Sequence, residues 1–109
     1  MSTSGKDIQR MTEVRLVTWL GEAIGDSIAR FVFLKEIDQE DLARYQAELQ
    51  GSESISPAYR EMATKSAEKR VEEIARRKIA LSQLWTLSES AEELRQSIIG
   101  FWESQEPPA

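Results

Sequence analysis

Between Arg60 and Lys78 the chain carries seven of its fourteen basic residues: Arg60, Lys65, Lys69, Arg70, Arg76, Arg77 and Lys78. With four acids in the same stretch the segment is at +3, so the remainder is at −8. Two chemistries fit such a run. A basic helix can meet phosphate or an acidic partner, and Arg60, Lys65, Lys69, Arg70, Arg76 and Arg77 would be the contacts. Alternatively the acids Glu61, Glu72 and Glu73 precede Lys65, Arg76 and Arg77 by four residues, the spacing of paired charges on a solvated helix. No aromatic residue lies between Arg60 and Lys78, so base stacking finds no platform there.

Glu68, Glu72 and Glu73 are the densest carboxylates, but a cation cage draws oxygens from several elements, and paired helical charges explain them more simply. The sequence has no cysteine and no histidine. Disulfides, thiolate chemistry, Cys-based metal sites and Ser-His-Asp or Cys-His catalysis are therefore excluded. Gly21-Glu22-Ala23-Ile24-Gly25 has the small-xxx-small spacing of close helix approach, and it lacks the Lys and Ser/Thr of a phosphate loop. The expectation is a chain without catalytic residues, metal or cofactor.

The large aromatics are the remaining chemistry. Trp19, Trp85, Trp102, Phe31, Phe33 and Phe101 are many for a core of this size. Aromatic anchors are enriched at interface hot spots. The run Phe31-Val32-Phe33-Leu34 is apolar almost all round and needs cover on both sides. Phe33, Trp85, Phe101 and Trp102 are the candidate partner-binding residues.

The elements that would position these residues are all helices. Ala, Glu, Arg, Leu, Gln and Lys dominate, and no Asn-Gly or Asp-Gly hairpin occurs. A first helical region is expected from Lys6 to Leu34, with a bend near Gly21 or Gly25. Asp38, with Asp41 three residues on, predicts the N-cap of a second helix ending at Gly51 in the left-handed conformation. Ser56-Pro57 predicts the start of a long helix to about Leu87, roughly 45 Å in length, longer than a compact globule of this chain is wide. Its first half has thin apolar cover and is expected to project, leaving the packing to Val71 and beyond. Ser90-Ala91-Glu92-Glu93 predicts a fourth helix. Lys78 and Ser88 would fall in the seam of a coiled coil, which argues against a strict one. The expected architecture is an elongated bundle of four to five helices with one long central helix. It forms a single domain over residues 1–109, with frayed tails at 1–5 and 103–109.

The formal charge of −5 disfavours general nucleic-acid and anionic-membrane affinity, and no apolar run is long enough to span a bilayer. The absence of a signal segment and of cysteine fits the cytoplasm. The order Phe33-Leu34-Lys35, Asp38-Gln39-Glu40-Asp41-Leu42, Ala47-Glu48-Leu49 followed by a long charged helix is similar to the helical dimerisation arm of PadR-type regulators, over about residues 33–85. That family's DNA-binding domain has no counterpart in the thirty or so preceding residues, so the resemblance implies a dimerising module and not a DNA reader. The expected function is a non-enzymatic interaction module: a homodimeric adaptor, chaperone or inhibitor of a larger regulatory protein. The alternative is a nucleic-acid-associated regulator using the basic helix.

Overall fold

A computed structural model describes residues 4–51 and 55–105. They form two α-helices, α1 (Gly5–Gly51) and α2 (Pro57–Ser104), arranged as a helical hairpin. The expected four to five helices are thus two. Neither Gly21 nor Gly25 interrupts α1, and α2 runs through Leu87 to Ser90 without a break. The helix starts are capped as their residue types require. The Ser4 hydroxyl accepts from the Asp7 N–H at 3.1 Å, and the Ser56 hydroxyl accepts from the Tyr59 N–H at 3.2 Å. The expected cap at Ser56 with Pro57 at the first helical position is what forms. Gly51 is the last residue of α1, and no described glycine has positive φ, so the expected left-handed stop is absent there. Of the expected tails, Gly5, Glu103 and Ser104 are helical, while residues 1–3 and 106–109 lie outside the described residues.

The inward residues of each helix recur at alternating three- and four-residue steps. On α1 they are Val14, Val17, Gly21, Ile24, Ile28, Phe31, Lys35, Asp38, Leu42, Tyr45 and Leu49. On α2 they are Ala63, Ala67, Arg70, Ile74, Arg77, Leu81, Leu84, Ser88, Ala91, Arg95, Ile98 and Trp102. This is the 3.5-residue period of a coiled-coil seam. Ser88 does sit in it, and Lys78 is exposed outside it. Of the two residues expected to spoil a strict seam, Ser88 therefore lies in it and Lys78 does not, and the seam holds its polar residues by pairing them or leaving the space open.

The hairpin comprises two compact units. The first joins Met1–Ile28 to Leu84–Ala109, and the second is Ala29–Gln83. In the first unit Val17, Ile28, Ala91 and Trp102 are buried, and the Trp102 indole N–H donates to the Glu13 carboxylate. In the second, Ala63, Ile74 and Leu81 are buried together with the charged Asp38. Ala63 has no exposed surface at all. The first half of α2, expected to project, is packed against α1. The thin apolar cover there is a close contact through alanine rather than an absence of contact.

Candidate functional site

The charged residues singled out from the sequence are largely consumed inside the second unit. Arg77 Nε lies 3.3 Å from Asp38 Oδ2, and the Asp38 side chain is only 8 % exposed. Arg70 Nη1 meets Glu73 at 2.8 Å while its Nε lies 3.4 Å from Asp41. The second of these contacts has ion-pair distance without hydrogen-bond alignment. Asp38 and Asp41 look like a capping box in sequence because they are short acids three residues apart. In the fold they sit mid-helix, where Arg77 and Arg70 of α2 each take one of their oxygens and Arg44 of α1 takes the other oxygen of Asp41. Burial pushes the Glu73 carboxyl up. The hydrogen bond and charge of Arg70, with the charge of Lys69 adding to them, outweigh this and hold it below the ordinary carboxylate range. The Arg70 guanidinium is correspondingly raised, first by its hydrogen bond to Glu73.

The remaining basic candidates stand differently. Lys65 pairs with Glu61 at 3.1 Å on the surface, as the four-residue spacing predicts. Glu73 and Arg77, also spaced for pairing, choose other partners, Arg70 and Asp38. Arg60 Nη1 donates to the Leu49 carbonyl at 3.4 Å, so it satisfies the last turn of α1. Lys69 and Arg76 are exposed. Next to this end, Tyr59 donates its hydroxyl to Glu48, which raises the phenol above its usual value, the hydrogen bond being the main cause. Of the basic run, Lys65, Arg70 and Arg77 are thus held in ion pairs and Arg60 by a carbonyl, while Lys69, Arg76 and Lys78 lie on the surface.

The four aromatic candidates divide. Phe33, in the second unit, is 62 % exposed on the outer side of α1, four residues before the exposed Ile37. Trp85 and Phe101, in the first unit, are 57 % and 54 % exposed. Seven-residue spacing puts them on opposite flanks of the seam, Phe101 in line with Leu94 and Leu87, and Trp85 in line with Ile99. Trp102 is buried at 8 %, edge-on to the Phe101 ring with centroids 5.1 Å apart, and hydrogen-bonded to Glu13. It is therefore part of the hairpin's own core, because its position continues the 3.5-residue seam while Phe101 precedes it by one.

Exposed residues that single-residue reasoning did not select are Leu16, Trp19, Ile79, Leu87 and Leu94. The signal for them was available: each falls out of phase with the 3.5-residue seam. On one flank of the first unit, Leu87, Leu94 and Phe101 follow one another every seven residues along α2. Ser90, Ser97 and Ser104 alternate with them at the adjoining positions, so this stripe of α2 bears no charge. Leu16 and Leu20 extend the same flank on α1. The opposite flank differs: Gly21 and Ser88 leave an open groove beside Glu22, Glu92 and Arg95.

Among the described residues no group of three or more His, Cys, Asp or Glu could hold a metal ion, and no helix is long and apolar enough to cross a membrane. No family model, curated protein or solved structure matches the chain. The likeness to a dimerisation arm therefore rests on the residue order and helical periodicity of residues 33–85.

Proposed function

We propose that the protein is a non-enzymatic helical hairpin that binds other protein surfaces, acting as an adaptor, chaperone or inhibitor of a larger regulatory protein. The carrying observation is the mismatch between inside and outside. Among the described residues the seam buries only seven apolar side chains, and Ala63, Ala91 and Val17 are three small ones among them, while large side chains including Trp19, Phe33, Ile79, Trp85 and Phe101 stay more than half exposed. Large aromatic side chains left exposed while the seam is filled by small ones support an interaction role, since aromatic anchors are enriched at interface hot spots. Phe33 and Trp85 are the anchors assigned to a heterologous partner, with the surrounding charges setting on-rate and selectivity.

The nucleic-acid reading is disfavoured by the pairing of Arg70 and Arg77 with Glu73, Asp41 and Asp38, since these guanidiniums are already engaged. The test compares tagged wild type with Phe33→Ser and Trp85→Ser in cross-linking from the native cell. A specific protein adduct that both variants lose, with helicity retained by circular dichroism, is the expected result. Equal adducts from all three proteins would remove these anchors. Retention on duplex DNA at low salt, weakened by Lys69→Ala and Arg76→Ala, would favour the alternative.

A further inference from the structure

We infer that the uncharged α2 stripe on one flank of the first unit is the seat of a second copy of this chain, joined through an antiparallel α2–α2 contact across a two-fold axis. The inference rests on the interaction reading above and names the occupant of one face.

The stripe Leu87, Ser90, Leu94, Ser97, Phe101 and Ser104 is exposed on one side of α2. Large and small residues alternate along it. Run antiparallel to itself about a point between residues 94 and 97, the stripe places Leu94 against Ser97, Phe101 against Ser90, and Leu87 against Ser104. Every large side chain then meets a small one, and none meets its own kind. A two-fold contact needs this property, since whatever residue i offers to residue j is offered back by j to i. Alternation of large and small residues across facing positions is also what lets helix layers interdigitate.

Charge points the same way. By sequence the first unit has four basic and nine acidic residues, a net −5, whereas the second has ten of each. Two such units repel through the charges around any contact, so a contact that adds no further like charge at its centre is the least opposed, and the stripe has none. A partner recognised by its own charge would find nothing on this stripe to pair with.

The area is adequate. With roughly 200 Å² of surface on each free large side chain, the fractional exposures of Leu16, Leu20, Leu87, Leu94 and Phe101 leave roughly 400–500 Å² of apolar surface per copy. Because interfaces are about 57 % apolar, this corresponds to about 800 Å² per partner, the standard size for a stable complex.

The chain has no cysteine, so single cysteines report the geometry without background. Sedimentation equilibrium of the full chain should show a dimer, and Leu94→Glu should weaken it by roughly 30-fold or more with helicity unchanged. Ser97→Glu serves as the second variant, since it leaves every apolar side chain in place. Mixing Leu87→Cys with Ser104→Cys chains should give an oxidised heterodimer, whereas Leu87→Cys with Ser90→Cys should not. A folded monomer at every concentration would overturn the inference. So would a dimer that Leu94→Glu and Ser97→Glu leave intact, or one that cross-links Leu87→Cys to itself. If the monomer still forms the adduct lost in Phe33→Ser and Trp85→Ser, only the second-copy inference fails and the interaction function stands.

Discussion

Asp38 and Arg77 show what a polar seam asks of single residues. The carboxylate is nearly buried and the guanidinium is 23 % exposed, so each depends on the other to offset its lost hydration. Removing one partner leaves the other partly buried and unpaired. Asp38→Ala is expected to lower stability by about 1–3 kcal/mol, toward the lower end for broken buried pairs because Arg77 keeps some water. Chemical denaturation of the variant checks this, and no change would show that solvent fully substitutes for the pair. Two neighbouring groups set a pH dependence. Glu73 has its folded pKa depressed, so its contribution is present above the ordinary carboxylate range and is lost as pH falls through the lower folded value. Tyr59 has its folded pKa raised, so its contribution is present below about pH 10 and is lost as pH rises through the higher folded value. Melting temperature against pH should therefore decline at both extremes, and Tyr59→Phe should remove the part of the alkaline decline due to that phenol.

At the scale of the helices, the sequence was legible in kind and illegible in number. Helix-forming composition and the Ser56-Pro57 start both carry over, because propensity and capping act within one turn. The expected breaks at Gly21, Asp38 and Ser90 do not form, because each was inferred from local chemistry that a facing helix overrides. Asp38 finds Arg77 across the seam, and α1 continues through Gly21 and Gly25 with open space where their side chains would be. The seam itself was hidden by its polar members, since Lys35, Arg70, Arg77, Ser88 and Arg95 break any purely apolar count. Of the candidate site, exposure at Phe33, Trp85 and Phe101 was readable from surplus aromatics. The burial of Trp102 needed the period of the whole helix. Two predictions follow from this geometry. Gly25→Ala has space for its methyl group and removes a helix-interior glycine, so it should stabilise the hairpin by about 0.5–1 kcal/mol in thermal or urea unfolding. Trp102→Ala should destabilise by about 3 kcal/mol, since it empties a core position and frees Glu13, while Phe101→Ser should leave the folded monomer nearly as stable as before.

For the whole molecule, the uneven charge distribution gives a discriminating test. The net −5 lies in the unit whose uncharged α2 stripe is assigned to self-association, and the other unit is neutral by sequence. Bringing two copies together therefore brings −5 toward −5, a repulsion carried by residues around the contact and not within it. Added salt shortens the screening length from about 30 Å at 0.01 M to about 8 Å at 0.15 M, which removes most of that repulsion and leaves apolar burial intact. The dimer constant should tighten as salt rises. Apparent melting temperature should rise with both salt and protein concentration, because folding is then linked to assembly. Binding to phosphate backbones has the opposite sign, since its logarithm falls linearly with the logarithm of salt concentration. Sedimentation equilibrium of the protein at low and physiological salt, beside the same comparison with duplex DNA added, thus separates the two classes of function by the signs of their slopes. Dimerisation that weakens with salt would place charged pairs at the contact and contradict the uncharged stripe as its centre.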